Sequence, residues 1–189
     1  PRKAASLYGA ALAAIRLRNF PEGAAMHSRL VELTKDNAAA ARLTRLLAME
    51  LALAGDDAPR ALSLVSDGAA GATRPEVMLA AQALTRSGQP AQAAQRLQMW
   101  LADHPRDAHV WQLLAPAYAA QGLMLRAIRA EAEARAAQHD FDGAMDRFKA
   151  AQELARAITE AWCAREDRQT VEVTLGVVRE RLGGRVALR

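Results

Sequence analysis

The chain has 189 residues, of which 51% are apolar but only 4% aromatic, and a formal net charge of +4. This length allows one domain or a short array of repeats. The shortage of aromatic residues favours closely stacked helices over a sandwich or barrel. Because Arg, Asp and Glu alternate along almost every segment, we interpret the charge as solvated helix faces and expect no nucleic-acid partner. No run of about 18 apolar residues is present, so no transmembrane segment is expected.

The first half of the chain predicts two pairs of helices. From about 4 to 37, apolar residues recur at helical spacing on both sides of a turn at 19–21. A second pair is predicted from about 41 to 73, where Gly55 stands at the turn and one extra residue precedes Ala61. The register of this second pair is therefore staggered against the others.

The clearest pattern lies between 108 and 138. Large and small residues at positions i, i+3, i+4 and i+7 form one face of a predicted first helix: Trp111, Leu114, Ala115 and Tyr118. Gly122 then stands at the turn, and Ala127 is the small residue on the second helix that follows. The same pattern occurs 34 residues earlier, within 74–107: Val77, Ala80, Ala81, Leu84, Gly88 and Ala93. This pattern resembles the signature of the tetratricopeptide repeat (TPR). We expect Trp100 and Trp111 to lie largely buried at the junction between these two repeats.

Prolines support the repeat pattern independently. Pro21, Pro59 and Pro90 each follow a turn, at the opening of a predicted second helix, where a missing N–H costs nothing. Pro116 instead lies inside a predicted first helix.

The next turn, at His139, follows Gly122 after only half a repeat. We expect His139 to be a packing residue. The helix between the two turns would close the fourth repeat and open a final helical pair and cap, about 139–183. Val171, Leu175, Val178 and Leu182 form an amphipathic stripe suited to a terminal cap. The predicted fold is thus all-α: a single TPR-type superhelix of stacked antiparallel helix pairs with a C-terminal capping helix, covering 1–189 as a fragment of a longer protein.

The stretch from Trp111 to Arg156 resembles the C-terminal TPR domain of exported bacterial zinc metallopeptidases, relatives of the periplasmic β-barrel assembly-enhancing protease. In that family a last repeat is followed by a helix like 129–134 and a turn like 140–145. The resemblance implies a periplasmic, non-catalytic module, with zinc in a separate peptidase domain and outer-membrane assembly proteins as partners. The HExxH zinc motif is absent from this chain, so no catalytic or metal residue is carried over.

In TPR arrays the exposed residues of the first helices line a concave groove that receives a protein segment. Projecting the template predicts a mixed basic and apolar groove, which suits extended or acidic peptide segments. The alternative is a solvated inner face without a ligand. The predicted groove residues are Tyr8, Arg42, Arg45, Met49, Met78, Gln82, Arg86, His109 and Gln112.

Other candidate sites have simpler interpretations. His104 and His109 flank a turn and cannot share one helical face, so we interpret them as solvated histidines and expect no metal or cofactor in this chain. Cys163 has no recognisable catalytic partners and is interpreted as a partly buried cysteine. The leading hypothesis is a protein-binding TPR module of a periplasmic metallopeptidase. The alternative is a free-standing TPR scaffold, and a cytoplasmic location stays open.

Overall fold

The computed structural model describes residues 2–65 and 72–162. Within these ranges 83% of residues are helical and no strand occurs, which confirms the predicted all-α fold. The helices in chain order are α1 (Arg2–Arg16), α2 (Phe20–Thr34), α3 (Ala38–Ala54), α4 (Ala58–Ser63), α5 (Arg74–Arg86), α6 (Pro90–Asp103), α7 (Ala108–Ala119), α8 (Met124–Ala137) and α9 (141–162). Cys163 and the predicted capping stripe lie outside the described residues.

Side-chain caps and prolines fix where the helices begin. The Asn37 side chain accepts from the Ala40 amide at 3.0 Å, and Asp57 and Asp107 cap α4 and α7 in the same way. Pro21, Pro59 and Pro90 stand at the first positions of α2, α4 and α6, as predicted. Pro116 lies inside α7, also as predicted.

Five helix-to-helix turns share one backbone feature. In each turn the residue directly before the N-terminal flank of the next helix has a positive φ: Arg18 (58°), Asp56 (58°), Gly88 (76°), Gly122 (73°) and His139 (65°). Asp56, and not Gly55, therefore stands at the turn position of the second pair. The prediction that His139 is a packing residue is wrong, because it is an exposed turn residue.

When positions are counted from the residue with positive φ, Ala61 falls at the same position as its counterparts in the other helix pairs. A small, buried residue follows five positions after each positive φ: Gly23, Ala61, Ala93, Ala127 and Ala144. A small residue is needed there because the second helix crosses its neighbour closely at that point. At Gly23, for example, an added Cβ would lie 3.2 Å from Leu51 of α3.

A left-handed backbone is costly for a side chain such as arginine. Arg18→Gly is therefore expected to raise the free energy of unfolding by about 0.5–1 kcal/mol. The control is Arg29→Gly, which places glycine inside α2 and should lower stability by about 1 kcal/mol. Both values come from denaturant titration. A loss of stability for Arg18→Gly would contradict the turn geometry.

The helices pack in chain order, and the odd-numbered helices form a second set of contacts. Each helix from α1 to α8 contacts the next, and α1 contacts α3, α3 contacts α5, and α5 contacts α7. Among these eight helices, no two even-numbered helices contact each other. The odd-numbered helices therefore form one connected row, with an even-numbered helix packed against each member.

The core follows this row. Leu47 of α3 is buried with Leu7 and Leu30 of the first pair, whereas Met49 of the same helix is buried with Leu79 of α5. A larger cluster joins α5 to α8 around Leu97 and other buried side chains. Because α3 has neighbours on opposite sides, its apolar residues spread around most of its circumference.

Trp100 of α6 and Trp111 of α7 both pack against the α5–α8 cluster. Both are largely buried, as predicted, although neither is completely so. Each indole N–H has a polar partner. The Trp100 Nε1–H donates to Asp107 Oδ2 at 3.1 Å, and the Trp111 Nε1–H donates to Pro105 O at 2.8 Å. Both indoles therefore reach the turn between α6 and α7 at the edge of the core.

Candidate protein-binding site

The nine predicted groove residues all lie on the odd-numbered row. Tyr8 belongs to α1. The others are distributed over the three following odd-numbered helices: Arg42, Arg45 and Met49 on α3, Met78, Gln82 and Arg86 on α5, and His109 and Gln112 on α7. Their surroundings differ sharply, because several of them contact other parts of the chain.

Glu76 at the start of α5 joins two of the predicted arginines. The Arg42 Nε donates to Glu76 Oε1 at 2.6 Å, its Nη2 donates to Oε2, and the Arg45 Nη2 donates to Oε1 at 3.2 Å. Thr73 donates to the same carboxylate from its amide and its hydroxyl, at 2.8 and 2.9 Å, in a capping box. Glu76 is therefore both the cap of α5 and the partner of α3.

These donors stabilise the charged form of the carboxylate. The Arg42 hydrogen bond is the main cause that lowers the pKa of Glu76 to about 2, against the opposing effect of burial. Arg42 and Arg45 thus direct N–H groups into the protein. Only part of each guanidinium surface remains for a ligand, since their side chains are 42% and 39% exposed.

A second bridge of the same kind lies one repeat further on. Arg74, the first residue of α5, donates from Nε to Asp107 Oδ2 at 2.6 Å and from Nη2 to Oδ1 at 2.8 Å. Asp107 also caps α7 and accepts from Trp100. The Arg74 hydrogen bonds are the main cause that lowers the pKa of Asp107 to about 2. Bidentate pairs of this geometry fix orientation as well as distance.

Arg86 at the end of α5 binds back to α3. Its Nη1 donates to the Leu53 carbonyl at 2.6 Å, and lies 3.4 Å from the Asp56 carboxylate. The Leu53 carbonyl belongs to the last turn of α3, where backbone acceptors lack helical partners. Arg86 therefore closes the end of the preceding odd-numbered helix, while 47% of its side chain stays exposed. Its role in binding a ligand stays a prediction.

The repeat template predicts Met49 on the exposed groove surface, but the residue is buried. Only 2% of it is exposed, because α4 and α5 cover the face of α3 on which it lies. Tyr8 and Met78 are half-buried against neighbouring clusters, and burial raises the pKa of Tyr8, with a further contribution from Glu50. Gln82 is half-buried, and two residues of α7, His109 and Gln112, are exposed.

A cavity of about 350 Å³ lies between α3, α5 and α6 and includes Arg45, Met49 and Glu76. Its other walls come from α6, with Arg96, Met99 and Trp100, and from Leu64, Val65 and Ala72. The cavity therefore begins just beyond the end of α4, which has 6 residues against 14 in α6. The sequence does indicate that the second pair is irregular, because the helical periodicity ends after Ser63 and a stretch rich in glycine and alanine follows.

Within residues 2–65 and 72–162, no three His, Cys, Asp or Glu side chains lie close enough together to hold a metal ion. No helix in the same part of the chain has the length and apolar character needed to cross a membrane. The predictions of no catalytic residue and no cofactor stay predictions.

The chain matches no family model, and a search of curated proteins finds no significant match.

Lowering the pH should weaken the two carboxylate bridges. The pKa of Glu76 and that of Asp107 are lower in the folded chain than their ordinary values, 4.5 and 3.8. Their contribution to stability is therefore complete above about pH 5 and is lost as the pH falls toward about 2. Glu76→Gln should cost about 1–2 kcal/mol at neutral pH and flatten the fall in stability below about pH 5.

The control is Glu32→Gln, which removes a carboxylate that is 72% exposed and pairs with its neighbour Lys35. Denaturant titrations at several pH values give the comparison. If Glu76→Gln loses stability on acidification as steeply as the parent and Glu32→Gln do, Glu76 does not form the described bridge.

Proposed function

We propose that this chain is a non-catalytic protein-interaction module, built as a TPR-type superhelix, that binds extended protein segments along its odd-numbered helices. The observation that carries the proposal is the unbroken succession of contacts from α1 through α3 and α5 to α7. In such a row each first helix presents one side to its own second helix and another to solvent. The solvent side of the whole row then forms a continuous surface.

The bridges between odd-numbered helices support this function. Glu76 joins α3 to α5, Asp107 joins α5 to α7, and Arg86 joins the end of α5 to the end of α3. A surface held in place in this way loses little conformational freedom when a partner binds, and that reduces the cost of association. The exposed groups on α7, His109 and Gln112, together with the outer parts of the bridge arginines, would contact the partner.

We further propose that the module serves a zinc metallopeptidase located in the bacterial periplasm, with substrate segments, the peptidase domain or outer-membrane assembly proteins as partners. The support is the sequence resemblance from Trp111 to Arg156. The alternative is a free-standing scaffold without a linked enzyme. An HExxH motif and a signal peptide encoded upstream of Pro1 would favour the first, and a complete reading frame without them would favour the second.

The binding function can be tested with a peptide display library. Peptides enriched on the chain should lose at least about tenfold in affinity for Gln112→Trp, which places a large side chain on the exposed side of α7. The control is Gln92→Trp on the exposed side of α6, which should bind within about twofold of the parent. Absence of any enriched peptide, or equal loss in both variants, would rule out a binding surface on the odd-numbered row.

A further inference from the structure

A second surface feature lies on the side of the even-numbered helices. Because α6 and α8 do not contact each other, a groove of about 460 Å³ opens between them over α7. Its floor carries Trp111, Leu114 and Tyr118, and its walls carry Gln98 of α6 and Arg126 and Arg129 of α8. It is separate from the predicted concave site, with which it shares no residue.

The groove combines aromatic surface with positive charge. The Arg126 guanidinium carbon lies 5.9 Å from the centre of the Tyr118 ring, in the geometry of a cation–π contact. Gln98 donates to the Tyr118 hydroxyl, which fixes the ring between the two walls. The indole N–H of Trp111 is already bonded to Pro105, so that ring offers apolar surface to the groove.

No carboxylate lines the groove among the residues that the structure describes. Arg129 lies 3.5 Å from Glu133 on the outer surface of α8, so its charge is partly compensated. For Arg126, the described part of the chain shows no carboxylate within ion-pair distance. The cavity between α3, α5 and α6 differs, because Glu76 and Asp103 there balance Arg45 and Arg96.

We propose that this groove, here called the α6–α8 groove, binds an extended acidic peptide segment that places an apolar side chain on the half-buried ring of Trp111 and a carboxylate at Arg126. The argument is charge complementarity. The half-buried Trp111 takes the apolar side chain, and Arg126, which has no carboxylate within ion-pair distance in the described part of the chain, takes the acid. A nucleic acid fits less well, because the groove offers two arginines on one wall, Arg126 and Arg129, rather than a continuous basic stripe that could follow a phosphate backbone.

The test uses the full chain and a fluorescein-labelled hexapeptide of alternating Asp and Leu. Fluorescence anisotropy should show saturable binding that weakens at least about tenfold for Arg126→Glu. The matched control is Arg29→Glu on α2, which changes the net charge equally at an exposed site away from the groove and should bind within about twofold of the parent. Circular dichroism verifies that both variants remain folded.

A second readout separates the groove from general charge attraction. In a ¹⁵N–¹H spectrum, the indole signal of Trp111 should shift on addition of the peptide, whereas that of Trp162, exposed near the end of α9, should not. The proposal is overturned by equal weakening in Arg126→Glu and Arg29→Glu, by an unmoved Trp111 signal, or by tighter binding of an oligothymidylate of six nucleotides than of the peptide. Equally tight binding of an alternating Asp and Ser peptide would also overturn it, since the apolar floor would then contribute nothing.

Discussion

Replacing Trp100 with alanine is expected to lower the free energy of unfolding by about 3 kcal/mol. The indole packs against the α5–α8 cluster and stacks on His104 with ring centres 4.0 Å apart. It also donates to Asp107, which caps α7 and holds Arg74. Removing it therefore opens a space beside the core and takes one donor from the carboxylate that joins α5 to α7.

A matched control is available in the same chain. Trp162 is 61% exposed, and Trp162→Ala should change stability by less than about 0.5 kcal/mol. Denaturant titration followed by far-UV circular dichroism gives both values. If the two variants unfold at the same denaturant concentration as the parent, Trp100 does not hold the α6–α7 junction together.

Ala93→Leu is expected to cost about 2–3 kcal/mol by overpacking. Ala93 is fully buried at the position five residues after the turn residue Gly88, where α6 approaches its neighbours. Three additional carbon atoms cannot enter that contact unless the helices move apart. The displacement should also weaken any binding on the odd-numbered row, because α5 would shift relative to α7.

Ala91→Leu is the control, since Ala91 is exposed on the same helix and leucine suits a helix well. Thermal unfolding of both variants gives the comparison. A variant Ala93→Leu with the melting temperature of the parent would show that small residues at this position are not required for packing.

Sequence periodicity was sufficient for the all-α class and for the starts of the second helices. Proline and capping residues act locally, so Pro21, Pro59 and Pro90 could be placed without knowledge of tertiary contacts. The turn position was harder. Glycine normally marks a positive φ, so the sequence predicts the turn at Gly55, whereas its neighbour Asp56 adopts that conformation.

The site was predicted less well than the fold, because a repeat template assigns faces but not partners. Arg42 and Glu76 are 34 residues apart in sequence, and nothing local indicates that they meet. The template places Met49 in the groove because it leaves one face of each first helix open, whereas α3 packs on opposite sides. Long-range pairing of charges and double-sided burial both require the three-dimensional arrangement.

Binding of partner segments along the odd-numbered row can be located by site-specific photo-crosslinking. Benzoylphenylalanine is placed at Gln112 on α7 or at Ser28 on α2, both of which are exposed. We expect a peptide enriched on the chain to crosslink from position 112 and to be competed by the unlabelled peptide, with no crosslink from position 28. Crosslinking from position 28 alone, or equally from both, would contradict the proposed binding surface.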